Sequence, residues 1–140
     1  MALRMNVATG SADPARADAA DAAGVVILCA EEVVRDAIAY WCGALPVRAS
    51  VAADGYDATR LLREGRWGLL VTDRILPPWP GLDTFRALRD RMPGLGIAFV
   101  DGGSRDDLRL ARLTGVTEIL PRPLTRQALA ASVGRLARAA

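Results

Sequence analysis

The chain has 140 residues, 51% hydrophobic and 24% charged, enough for one globular domain with a sizeable core and too few for an added output module such as a DNA-binding domain. No apolar run approaches the roughly 20 residues of a membrane-spanning helix, and the start of the chain lacks the continuous apolar core of a signal peptide, so a cytoplasmic protein without a membrane anchor is expected. All 18 basic residues are arginine; without lysine or histidine the chain cannot act in histidine phosphotransfer or offer a lysine to phosphate, and a net charge of +2 is well short of a nucleic-acid signature.

Residues 1–23 combine small and acidic side chains with Pro14 and no apolar periodicity, and they are read as a flexible tail ahead of a domain spanning 24–140. Residues 25–28 form a short, fully apolar run, the pattern of a strand buried on both faces. Val33, Ala37, Ile38, Trp41 and Cys42 then recur at helical spacing. The alternation repeats, with a strand at 47–52 and a helix at 54–64 that turns Ala58, Leu61 and Leu62 inward. A strand at 69–72 is followed by a helix carrying Leu82, Phe85, Leu88 and Met92.

A fourth strand is expected at 97–100, and Ser104 with Asp107 has capping-box-like spacing ahead of Leu108, Ala111 and Leu113, with Gly115 closing that helix. The last unit is a strand at 116–120 and a helix with Leu129, Val133 and Leu136 as its apolar stripe. Five βα units with short connections imply an α/β fold: a five-stranded parallel sheet, doubly wound, with helices on both faces. Ligands of such sheets bind outside the carboxyl ends of the strands. Here those ends carry Cys29-Ala30-Glu31-Glu32, Asp73, Asp101 and Pro121-Arg122-Pro123.

Asp73 ends an apolar strand and is followed by Pro77 and Gly81, four and eight residues on. With Ala53-Asp54-Gly55 opening the second helix and Gly115 ahead of Arg122-Pro123, this pattern resembles the receiver domain of response regulators, the CheY-like (βα)5, flavodoxin-like sandwich, over about residues 25–139. The resemblance implies a phosphoacceptor at Asp73, Mg²⁺ held by that residue and an acidic pair after the first strand, and a hydroxyl and a lysine on the phosphoryl oxygens. It also implies a cis X-Pro bond, here Arg122-Pro123. Its partners would be a histidine kinase, a phosphotransfer protein or an adaptor in two-component signalling.

The partner positions depart from that pattern. Ala30-Glu31 replaces the acidic pair, leaving Glu31 and Asp73 as metal ligands and weak Mg²⁺ binding as the expectation. Asp101 replaces the hydroxyl and Arg122 the lysine, while position 119, usually an aromatic reporter of the phosphoryl state, is Ile119. Two unit charges about 4 Å apart cost on the order of 4 kcal/mol at an effective dielectric near 20, more than the ~1.5–3 kcal/mol of a charged hydrogen bond. Asp101 should therefore repel a phosphoryl group unless it is paired, and the nearest candidate is a fork-like ion pair with Arg122. The expected protein is an atypical single-domain receiver, phosphorylated weakly or not at all, that acts by protein contact. The alternative is a working Mg²⁺-dependent phosphoacceptor.

Other groupings carry competing readings. Cys29-x5-Arg35 superficially resembles the phosphate loop of low-molecular-weight tyrosine phosphatases, but Glu31 and Glu32 would repel a phosphate dianion and raise the thiol pKa, so no enzyme activity is expected. Glu31 and Glu32 also read as favourable charges at a helix N-terminus. Arg105, Arg109 and Arg112 form a stripe along the fourth helix, either a solvated face or a surface for an acidic partner or a cyclic dinucleotide. By resemblance, the face built from the fourth helix, fifth strand and fifth helix could also pair two copies. Trp79, in the stiff Pro77-Pro-Trp-Pro80 loop, is a further contact candidate.

Overall fold

The computed structural model describes residues 24–74 and 85–137. The expected tail 1–23 and the positions Pro77, Trp79, Gly81 and Leu82 lie outside them. Five strands alternate with five helices: β1 (Gly24–Leu28), α1 (Glu32–Cys42), β2 (Ala49–Val51), α2 (Gly55–Glu64), β3 (Trp67–Thr72), α3 (Phe85–Arg91), β4 (Gly96–Val100), α4 (Arg105–Leu113), β5 (Glu118–Leu120) and α5 (Arg126–Leu136). All pairings are parallel and the spatial order is β2-β1-β3-β4-β5. This is the expected doubly wound sandwich. The order reverses beside β1, so the carboxyl ends of β1 and β3 border the crevice at the switch point.

The sequence of each central strand explains its place. β1 and β4 are buried at every position, and their residues alternate between two cores as a period of two requires. Val26, Leu28, Leu70, Ile97 and Phe99 meet α2, α3 and α4 through Ala58, Leu62, Phe85, Leu88 and Ala111. Val25, Ile27, Leu69, Val71, Ala98 and Val100 meet α1 and α5 through Ile38, Cys42, Leu129 and Val133. The pairing Ile27↔Val71↔Ala98 runs straight across the sheet, so Asp73 stands at the end of the best-buried part of the structure.

Capping residues fix where the helices begin. Asp54, Ser104 and Thr125 accept from the backbone N–H of Asp57, Asp107 and Ala128, and Asp57 accepts in return from the Ala53 N–H. At α1 the N-cap is Glu31, whose side chain makes no capping bond. At the far end of α4, Arg86 and Arg89 of α3 donate to the Leu113 and Gly115 carbonyl oxygens, and Gly115 takes a φ of 91°.

The edges are shorter than the apolar pattern suggests. β2 covers only Ala49–Val51 of the expected 47–52 because it pairs on one side alone. β5 begins at Glu118 rather than 116, because Thr117 meets Ile97 partly through its hydroxyl, which accepts the Ile97 N–H at 3.0 Å. Val33 and Leu113, read as members of inward stripes, are instead exposed at 76% and 62%. Each lies on the outer side of its helix, while Ile38, Cys42 and Ala111 supply the buried contacts. Away from the crevice, Trp67 packs where any Cβ on Gly24 would come within 2.6 Å of its ring, and Arg48 lies over that ring at 4.7 Å.

The Ser132 side chain is fully buried on α5, and among the described residues its hydroxyl has no hydrogen-bond partner. A buried hydroxyl left unpaired costs about 1–3 kcal/mol, so Ser132→Ala should raise stability by about 1 kcal/mol. Urea unfolding of the two proteins would read this as a higher midpoint at unchanged slope, and a lower midpoint would refute it.

Candidate functional site

Asp73 follows β3 directly and is only 8% exposed. Its two carboxylate oxygens are both engaged: Oδ1 accepts the Ala30 N–H at 2.9 Å and Oδ2 the Glu31 N–H at 3.1 Å. Those amides sit just ahead of α1, where the helix N-terminus favours a negative charge. Asp73 thus holds the two amides that lead into the helix, rather than an amide within its first turn. Ala30 contributes a methyl group and no charge. The result is a buried carboxylate neutralised by backbone dipoles.

Asp101 and Arg122 both reach the crevice rim, but they do not pair. Asp101 Oδ1 accepts the Gly103 N–H at 2.8 Å, a short-range turn contact. Arg122 Nη1 donates to the Gly102 carbonyl oxygen at 2.9 Å. Among the described residues the ion pairs do not include Asp101 with Arg122. This corrects the expected fork: each side chain finds a backbone partner within the Gly102-Gly103 loop, which needs no second side chain to be ordered. Gly103, with a φ of 96°, suits this packing, since a Cβ there would lie 3.2 Å from the Arg122 guanidinium. The Arg122-Pro123 bond is cis, as the resemblance implied.

Cys29 lies one residue past β1 and is 5% exposed. Burial raises its thiol pKa far above the ordinary range; the neighbouring Asp73 carboxylate adds to this, outweighing the lowering from an Asp73 backbone hydrogen bond and Arg35. A phosphatase nucleophile needs the opposite shift. Cys42, buried against the same core, is pushed up to about 11 by burial.

No protein-family model matches the chain. The chemotaxis protein CheY of Pseudomonas aeruginosa is 32% identical over 88 residues, 61% of this chain and 71% of that protein. The chain belongs to the CheY-like receiver family of response regulators. Solved receivers share its fold: CheY4 of Vibrio cholerae with a TM-score of 0.66 at 19% identity, over 81% of this chain and 98% of that one. A receiver protein from Pseudomonas putida gives 0.67 at 23% identity, over 83% and 98%. A CheY-like receiver domain from Methanospirillum hungatei gives 0.69 at 15% identity, over 82% and 93%.

Receivers of this family are signalling modules of two-component systems. Measured against the Mg²⁺ site that the family implies, the residues at hand fit poorly. Glu31 is exposed, both oxygens of Asp73 already accept N–H groups, and Asp101 is engaged with its own loop. Among the described residues no three His, Cys, Asp or Glu side chains converge as a cation site. Ile119 is half-buried on β5, where it has no hydroxyl to follow. Arg105, Arg109 and Arg112 are all exposed along α4, and Trp79 lies outside the described residues. Among the described residues no helix is long and apolar enough to cross a membrane.

Sequence reading located Asp73 but missed its partners, because backbone amides leave no residue signature.

Two outcomes follow. Removing the shared acceptor in Asp73→Ala should cost about 1–3 kcal/mol in urea unfolding, since two N–H groups lose a charged partner; a variant as stable as the parent would show that these contacts are not formed. Both thiols hold their protons more tightly folded than free, so their stabilising contribution is complete below the ordinary thiol value of 9.0 and is lost as pH rises towards the Cys42 value of about 11. Comparing unfolding midpoints at about pH 8 and about pH 10.5, the parent should lose more stability than a Cys29→Ala/Cys42→Ala variant. An equal loss would contradict burial of the thiols.

Proposed function

We propose that this receiver signals by protein contact, with phosphorylation at Asp73 weak or absent, and that its partner is a histidine kinase, a phosphotransfer protein or an adaptor in the cytoplasm. The observation that carries this reading is the capture of both Asp73 oxygens by the Ala30 and Glu31 amides. Each oxygen accepts one N–H bond and keeps a second lone pair, so the two donors do not block attack on phosphorus; they stabilise the negative charge of Asp73 and make it a weaker nucleophile.

The rest of the crevice adds to that barrier. A metal ion that would neutralise the incoming phosphoryl group has to share Asp73 with those two N–H groups, and the Ala30 side chain offers it no oxygen. Asp101 places a carboxylate where a hydroxyl would donate. Arg122 commits Nη1 to the Gly102 carbonyl oxygen, which leaves fewer of its N–H groups to meet a phosphoryl group. Each change acts in the same direction, against charge accumulating on Asp73.

The expected result is no gain of mass when the folded protein is incubated with Mg²⁺ and a small phosphodonor such as acetyl phosphate, beside an Asp73→Ala control. Uptake of one phosphoryl group by the parent alone would overturn the reading and install Asp73 as a working acceptor. Restoring an acid and a hydroxyl together in Ala30→Asp/Asp101→Thr should bring uptake back at Asp73.

A further inference from the structure

Two exposed helix faces remain that the crevice does not use, and they are complementary to each other. On α1, Val33, Asp36 and Tyr40 fall at i, i+3 and i+7 and share one outer face, with Val33 76% and Tyr40 81% exposed. Glu31 and Glu32 lie beside it, and Arg35, which pairs with Glu32 and Asp36, leaves the group at a formal −2. On α4, Leu113, Arg109 and Arg105 recur every four residues on an outer face, flanked by Arg112 and the partly exposed Leu110. The three arginines form no ion pair among the described residues and outnumber Asp106 and Asp107.

We propose that α1 of one molecule docks antiparallel on α4 of a second copy, giving head-to-tail association. At about 1.5 Å per residue, Val33, Asp36 and Tyr40 lie at roughly 0, 4.5 and 10.5 Å along α1, while Leu113, Arg109 and Arg105 lie at roughly 0, 6 and 12 Å in the reverse direction along α4. The registers match within about 1.5 Å, setting Val33 on Leu113, Asp36 on Arg109 and the Tyr40 ring under Arg105. Antiparallel packing also brings the acidic start of α1 to the basic end of α4, and it opposes the two helix dipoles.

The two faces belong to different sides of the sheet, since α1 packs on the core with α5 and α4 on the core with α2 and α3. One molecule therefore cannot satisfy both with a single partner by two-fold symmetry, and the contact propagates unless a rotation closes it. A single helix pair buries less than the roughly 1,200 Å² of a standard specific interface, so the association is weak, reversible and weakened further by salt.

Sedimentation equilibrium of the full chain at rising concentration and low salt tests this. The mass of the parent should climb past that of a dimer and fall back at high salt. Asp36→Arg, with α1 spoiled, and Arg105→Ala/Arg109→Ala, with α4 spoiled, should each stay monomeric alone, while their equimolar mixture should stop at twice the monomer mass. Reversing both charges in one chain, Asp36→Arg/Arg109→Asp, should restore association. A parent monomeric at every concentration would overturn the proposal, and so would an Asp36→Arg chain that associates as well as the parent. Circular dichroism of each variant confirms that it is folded, all substitutions being on the surface.

Discussion

The carboxylate of Asp73 is held by two backbone amides at the head of α1, and the character of the crevice follows from that contact. A buried acid needs either a cation or hydrogen-bond donors. In this chain Ala30 removes the like charge that would have crowded Asp73, and the loop's own N–H groups supply the neutralisation. The charge of Asp73 then serves to tie the end of β3 to the start of α1, joining the central strands to the helix that packs on their other face.

The same economy of local partners governs the rim. Asp101 turns to the Gly103 amide within the loop between β4 and α4, and Arg122, arriving from the end of β5, holds the Gly102 carbonyl of the same loop. Electrostatic reasoning correctly requires a partner for each charge, but it favoured the side chain of opposite sign over a backbone group two residues away. For Asp101 the contact at short sequence separation asks for less ordering of the chain, and there it prevailed.

Legibility of the sequence followed burial. The continuous apolar runs of β1, β3 and β4 and the caps Asp54, Ser104 and Thr125 could be read directly, because full burial on both faces and the N-cap geometry each demand particular residue types. Asp73, Gly115 and the Arg122-Pro123 bond stood out through their spacing. The edges were less readable: Val47 and Val116 carry the β-branched side chains of strand residues, yet the ladders start later, since only one side of each edge strand is paired. Val33 and Leu113 fit a helical apolar stripe equally well on either face. Neither the amides on Asp73 nor the Gly102-Gly103 contacts could be foreseen, since main-chain groups carry no residue identity.

The membership of this chain in the receiver family and its altered crevice are compatible, because the fold rests on the two apolar cores and not on the crevice charges. The contacts of the acid at the end of β3 can change without disturbing the strands beneath it. The most direct test of that change follows the backbone amide resonances of Ala30 and Glu31 during titration with Mg²⁺. The account predicts that both amides stay at their hydrogen-bonded shifts with no saturable movement, while Asp73→Asn displaces them in the absence of metal. Saturable movement of both on adding Mg²⁺ to the parent would show the ion taking Asp73 from the loop, and would contradict the account.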